Sequence, residues 1–294
     1  VQNRNTCRVL YNQFFLFFMQ NKTVSILGCG WLGLPLAKAL IKEGFIVKGS
    51  TTAEEHVDQL RMEGIEPYII TLGPELEGDD SAEFLESETL IINFPPERRS
   101  DIAEFHVQQF SSLIDALQLS PVRTVLLVSS TSVYPMLNRE VTEEDADSGS
   151  AGSPAGEALL LVEEMLMQER SFQTTVVRFC GLVGYDRSPA NYLGRMAEIT
   201  DPAQPMNLIH RDDCIKIISG IIRLGQWGEV FNACSPSHPS RIDYYSKAAE
   251  VAGIELPPVS DGEEPSSFKI ISSSKLEGAL NYQFLHPDPL QTLV

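Results

Sequence analysis

Ser25–Leu40, SILGCGWLGLPLAKAL, sets three glycines between an apolar run and a segment whose apolar residues recur at helical spacing. Gly28, Gly30 and Gly33 spell G-x-G-x-x-G directly after a strand-like run and before a helix-like one, the context a dinucleotide fingerprint requires. There the first glycine permits the tight turn, the second lets a pyrophosphate approach the backbone, and the third allows the helix to pack closely. The helix N-terminus then presents free N–H groups and its positive end to the phosphates. Pro35 falls in the first helical turn, where its missing N–H costs little. Three glycines in a turn also serve a plain strand-to-helix connection, but here a second strand-like run follows within about 30 residues, as a βαβ unit needs.

Outward from the loop, short apolar runs alternate with helical periodicity. TVSIL (23–27), FIVKG (45–49), PYIITL (67–72), TLIINF (89–94), RTVLLVSS (123–130), TTVVRF (174–179) and EVFNAC (229–234) read as strands. Helices are expected at Pro35–Glu43, Glu54–Glu63, Ile102–Gln118 and Glu157–Glu169. Strands that are apolar throughout, rather than alternating, indicate a sheet covered on both faces. The fold class that follows is α/β, a doubly wound parallel Rossmann sheet with a smaller C-terminal lobe. Residues 19–180 are expected to form the nucleotide-binding domain and 181–294 the lobe, with 208–236 returning to the sheet. Thr142–Gly156, acidic and rich in glycine and serine, reads as a surface loop.

The 294 residues are 43% hydrophobic, enough for a packed core, and carry a formal net charge of −18. Such a charge opposes binding to a phosphate backbone or an anionic membrane, so neither nucleic acid nor membrane is expected as a partner. Leu10–Met19 is apolar but too short to span a bilayer. The chain starts at Val1, and Met19 stands just before the first strand, so residues 1–18 read as an extension or annotation artefact. Cys7, Cys29, Cys180, Cys214 and Cys234 are odd in number and form no C-x-x-C pair. That suits a reducing cytoplasm better than a disulfide framework or a zinc site.

An acidic residue about 20 positions beyond the glycines would mark NAD through its ribose hydroxyl. Lys48–Thr52, KGSTT, has none. Ser50, Thr51 and Thr52 as donors and Lys48 as a charge lean toward the 2′-phosphate of NADP; the same hydroxyls would also serve merely to end a strand.

Val125–Pro135, VLLVSSTSVYP, runs an apolar strand into four hydroxyl residues and a tyrosine, at the strand end that faces ligand in such a sheet. From here the sequence resembles a known family. GCGWLG, SSTSVYP, VVRFCGLVG, NLIHRDD and EVFNACSP, in that order over about Thr23–Pro287, are similar to the extended and atypical short-chain dehydrogenase/reductases of the NAD-dependent epimerase/dehydratase type. An atypical subgroup sharing GxGWLG, NLIH-x-DD and an HPxR…YY segment, here His238–Tyr245, is the nearest likeness. The resemblance implies that Gly28, Gly30, Trp31, Leu32, Gly33, Ser50, Thr51, Thr52, Phe94, Pro95, Ser129 and Ser130 meet an NAD(P) cofactor. It also implies Ser130 as the active-site hydroxyl, a homodimer built on two helices, and a small-molecule substrate near Tyr185, Arg187 and His210.

Catalytic relatives use a Tyr-x-x-x-Lys pair, whose side chains share a helix face and whose ammonium lowers the phenol's pKa. Alignment through Glu163 or Glu164 puts the tyrosine at Ala155 or Gly156 and the lysine at Leu159 or Leu160. No lysine occurs between Lys48 and Lys216, and the chain contains no Tyr-x-x-x-Lys at all. Tyr134 is a candidate replacement that otherwise packs beside the crevice; Glu157 is another, and otherwise a first-turn carboxylate facing the helix dipole.

Asn207–Ile218, NLIHRDDCIKII, places Asp212 or Asp213 to cap a helix and His210 to line a crevice wall. A metal site would need ligands the local sequence does not offer, so none is expected. Arg187 would grip a phosphate or carboxylate bidentately, or serve as a surface charge. Two classes of function stay open: an NAD(P)-dependent epimerase, dehydratase or reductase acting on a sugar-nucleotide or similar anion by an altered mechanism, and a non-catalytic NAD(P) sensor or regulator.

Overall fold

The computed structural model describes residues 23–293 apart from positions 79, 148 and 263. The expectations for residues 1–18 and for a start at Met19 lie outside the described residues. Seven strands make the central sheet: β1 (Thr23–Leu27), β2 (Ile46–Thr51), β3 (Glu66–Ile69), β4 (Thr89–Ile92), β5 (Thr124–Ser130), β6 (Gln173–Phe179) and β7 (Val230–Ala233). Their order is 3-2-1-4-5-6-7, with parallel registers. This is a doubly wound α/β fold whose strand order reverses between β1 and β4.

Every strand-like run of the sequence contributes to this sheet, because burial on both faces is what made the runs uniformly apolar. Leu90, Ile91 and Ile92 of β4 are fully buried, as are Val125 and Leu126 of β5. Ser25 interrupts β1 without cost, since its buried hydroxyl donates to the carbonyl of Phe84. The third run is shorter than expected: β3 stops at Ile69, and Thr71–Leu72 turns off to pair antiparallel with Leu76–Glu77.

The principal helices are α1 (Gly33–Lys42), α2 (Val57–Met62), α3 (Ile102–Gln118), α4 (Pro154–Gln168), α5 (Arg211–Leu224) and α6 (Arg241–Ala252). Helix α1 starts two residues before Pro35 and α4 three before Glu157; prolines are tolerated in a first turn, so both starts are compatible with sequence. Among the described residues no helix is long and apolar enough to cross a membrane.

The chain divides into two compact units. One comprises residues 23–94 with Gln108–Leu127 and Glu169–Thr174. The other comprises Pro95–Val107, Val128–Gln168 and everything from Thr175. Within the second, Gly181–Val183 pairs with Leu208–His210 in a separate two-stranded parallel sheet. Of the stretch expected to return to the main sheet, Val230–Ala233 does so and Leu208–His210 does not. A satellite core of Leu193, Ile199, Tyr244, Tyr245 and Ala248 backs this small sheet.

Candidate functional site

In the first unit the glycine loop is fixed by contacts that explain two of its three glycines. Gly28 has φ +104°, and a Cβ there would lie 2.5 Å from the carbonyl oxygen of Asn93. A Cβ on Gly33 would lie 2.2 Å from the carbonyl oxygen of Gly28. Gly30 differs: it is exposed, and nothing lies within 4 Å of the place its Cβ would take. The loop thus has a closed back, made by Gly28, Gly33 and Asn93, and an open front at Gly30. Asn93, which the sequence reading passed over, clamps the back by donating from Nδ2 to the Gly28 carbonyl at 2.9 Å. No side chain caps α1 and no acidic residue stands in its first turn, so its positive end is uncompensated. This geometry fits a pyrophosphate, which needs close backbone approach and helix N–H groups.

Around the loop several expected cofactor residues have other work. Ser50 is buried and accepts the Gly28 N–H on its hydroxyl at 2.9 Å, so it shapes the loop rather than facing a ribose. The Lys48 ammonium is buried, donates to the Glu83 carbonyl and lies over the Tyr68 ring. It is therefore not the free charge that the NADP reading assumed. Thr51 exchanges hydrogen bonds with the backbone of Ala53, while Thr52 is exposed. Leu32 is a core side chain, Trp31 is half-buried, Phe94 stacks against Phe110 with centroids 5.8 Å apart, and Pro95 is exposed. Cys29 lies over Gly49, where a Cβ would come within 2.7 Å of its sulfur, and burial pushes its thiol pKa up to about 12.

At the end of β5, in the second unit, Ser129 donates to buried Glu163, which also receives three hydrogen bonds from Arg178, at 2.6, 3.0 and 3.3 Å. Arg178 donates to the Tyr134 hydroxyl at 2.7 Å, and that hydroxyl donates to Asn232 at 2.7 Å. Tyr134 is fully buried, and burial pushes its pKa up to about 12 against the opposing pull of Arg178 and Asn232. The Ser129 hydroxyl is thus engaged by Glu163, and Tyr134 is a buried phenol with both its hydrogen bonds made. Ser130 is half-buried, and its oxygen accepts the Ser132 N–H at 3.1 Å, which leaves the hydroxyl proton able to donate outward. Lys269, from a distant segment, donates to the carbonyls of Thr131 and Tyr134 at 2.8 and 2.6 Å and so holds the turn that presents Ser130.

Of the two places that alignment gives the tyrosine, Ala155 is half-buried and Gly156 is closed to a side chain. A Cβ on Gly156 would lie 2.2 Å from the carbonyl oxygen of Ser132, so α4 rests directly on that turn and no side chain fits there. Leu159 and Leu160, at the places of the lysine, are buried. The Glu157 carboxylate accepts the Gly149 N–H and is a loop anchor.

Tyr185, Arg187 and His210 come together. All three line one cleft of about 400 Å³ within the second unit, with Gly184, Asp212 and His286. His210, rather than Asp212 or Asp213, caps α5: its Nδ1 accepts the Asp212 N–H at 3.2 Å. Burial first, and His286 second, lower the His210 pKa below the ordinary histidine value. Tyr185, at φ +55°, donates to the Asp212 carboxylate at 3.0 Å, and Arg211 lies over its ring at 4.0 Å. Asp213 is fully buried and accepts from Tyr282 and from the backbone N–H groups of Leu285 and His286 at 2.6, 2.7 and 3.0 Å. No local sequence signal ties His286 to His210; only the folded C-terminal segment does.

Fold and loop together define a Rossmann protein with the architecture of the short-chain dehydrogenase/reductases and nucleotide-sugar epimerases. Solved structures of that type superpose on it. UDP-glucuronic acid 4-epimerase from Bacillus cereus in complex with NAD gives a TM-score of 0.77 at 17% identity, covering 92% of this chain and 96% of its own. A short-chain dehydrogenase/reductase superfamily protein from Agrobacterium tumefaciens with bound NAD gives 0.71 at 17% identity, covering 92% and 94%. No family model matches the chain. In sequence, Protein YeeZ of Escherichia coli (strain K12) is 31% identical over 272 residues, which is 92% of this chain and 98% of YeeZ. The chain belongs to the YeeZ family.

Proposed function

We propose that the protein binds a nicotinamide dinucleotide at the Gly28–Gly33 loop and acts as an epimerase/dehydratase-like protein on a small anionic molecule, by chemistry that does not use the Tyr–Lys pair. The observation that carries the reading is the contrast within the loop: two glycines that contacts force, and one, Gly30, that is exposed with nothing within 4 Å of the place its Cβ would take. The NAD bound by structural neighbours supports the cofactor class. The open backbone at Gly30 and the N-terminus of α1 would hold the pyrophosphate on a loop that Gly28 and Gly33 shape, and the nicotinamide would supply hydride transfer. Thr51 and Thr52 are what remain at the end of β2 for a 2′-phosphate, so NADP has no cation from Lys48 in its favour.

The substrate class is a phosphorylated or carboxylated small molecule such as a sugar-nucleotide, received where Tyr185, Arg187 and His210 line the cleft. Ser130 would polarise a carbonyl through its free proton. A second reading, a dinucleotide-responsive regulator without turnover, is favoured by Gly156 and the two buried leucines, which leave α4 without an acid or base. Calorimetric titration of the full chain with NADH and NADPH tests the binding. Saturation by one establishes the cofactor and its phosphate preference; no heat from folded protein overturns the proposal. Ser130→Ala then separates the two readings, abolishing turnover in the first and leaving binding unchanged in both.

A further inference from the structure

The local sequence around His210 offers too few ligands for a metal, but the fold adds one from 76 residues along the chain. We infer that His210, Asp212 and His286 form a site for a single divalent cation of the zinc class, open to the cleft. The imidazole nitrogens and carboxylate oxygen of the three all lie within 4.8 Å of one another. Asp212 Oδ2 is 3.7 Å from His210 Nδ1 and 3.6 Å from His286 Nε2. Tetrahedral coordination with bonds of about 2.0–2.2 Å puts ligand atoms about 3.4 Å apart, so the carboxylate already stands within a few tenths of an ångström of its place against each imidazole, while the two rings, with centroids 3.9 Å apart, have to re-orient to bring both nitrogens onto one ion.

The donor set is two imidazoles and one carboxylate, the combination that zinc takes when a fourth position is left for water or a ligand. That fourth side is the cleft, since all three residues line it. The shell behind the ligands is built as metal sites require. Tyr185 donates to the Asp212 carboxylate and fixes its orientation. Buried Asp213 and the Ser235 hydroxyl hold the backbone of His286 from both its N–H and its carbonyl, at 3.0 Å each. The Nε2 of His210 faces the backbone of Gly184, which leaves Nδ1 as the ligating atom. Binding there would exchange the 3.2 Å bond from the Asp212 N–H for the metal, a weak bond given up for a strong one. This inference does not rest on dinucleotide binding.

The test uses untagged full-length protein, stripped with chelator and dialysed, titrated with zinc sulfate by calorimetry and with cobalt chloride by visible absorption. One zinc per chain is expected, with the intense d–d bands of four-coordinate cobalt, no thiolate-to-cobalt charge-transfer band, and a raised melting temperature. His286→Ala and Asp212→Asn should each weaken zinc at least about tenfold while leaving the circular dichroism spectrum intact. His286 is one-third exposed and its backbone anchors do not depend on its ring, so its removal tests the ligand rather than the fold. No saturable zinc binding by folded protein, binding unaffected by both variants, or a thiolate charge-transfer band would each overturn the assignment.

Discussion

The glycine loop after β1 and the hydroxyl run at the end of β5 each close a strand of one sheet, yet they were not equally readable. At the loop, two identities follow from local space: Gly28 and Gly33 are glycine because backbone occupies the place of a Cβ, whereas nothing packed around Gly30 requires it. At the end of β5, Ser129, Ser130 and Tyr134 read alike as polar groups facing ligand, but distant residues assign them. Glu163 takes Ser129, Arg178 and Asn232 take Tyr134, and only Ser130 keeps a proton to offer. A backbone requirement is written locally; the role of a side chain depends on partners that sequence order does not bring near.

The contrast can be strained experimentally, beginning where the effect is greatest. Arg178→Ala should cost about 3–5 kcal/mol in denaturant unfolding, because it leaves the Glu163 carboxylate buried without its partner. A cost near zero would mean that the β5 network does not bear on the fold. Gly28→Ala should cost about 1–3 kcal/mol from its positive φ alone, before the contact with Asn93 is counted. Tyr134→Phe removes one partner each from Arg178 and Asn232, for about 1–3 kcal/mol, and should leave nucleotide binding unchanged. Lost turnover at full stability would instead restore Tyr134 to the chemistry.

Tyr134 also gives a pH dependence. Its pKa rises from the ordinary value of 10.0 to about 12 in the folded protein, so above pH 10 the unfolded chain loses the proton first. The stability it contributes is complete below about pH 10 and lost as pH climbs through about 12. Tyr244 and Tyr282, also raised by burial, act in the same direction. Unfolding followed between pH 9 and 12 should show the decline, and Tyr134→Phe should make it shallower.

The sheet was legible nearly strand by strand because continuous apolar runs and helical periodicity are local signals. The Ser25 interruption misled nothing, since one hydroxyl can find a carbonyl. At the candidate sites, the backbone demands of the glycine loop and the gathering of Tyr185, Arg187 and His210 at one cleft were legible, and the partners of the polar side chains around the loop and β5 were not. Lys48 and Ser50 read as cofactor donors because the sequence showed their types and not Glu83 or the Gly28 N–H that engage them. Asn93 could have been suspected from its place directly after β4. Lys269 and His286 carried no such sign: each reaches its partners across more than 50 residues, through a segment poor in regular structure.

The smallest change in stability should come with the largest change in function, at Gly30. Gly30→Val places its Cβ where no atom beyond the chain neighbours lies within 4 Å, so unfolding should shift by less than about 1 kcal/mol. Calorimetry of this variant beside the unaltered protein, with the nucleotide that binds more tightly, is the most direct test of the loop's role. Saturable binding by the parent chain and none by the equally stable variant is the expected result. Equal binding by both, or none by either while folded, would contradict the account.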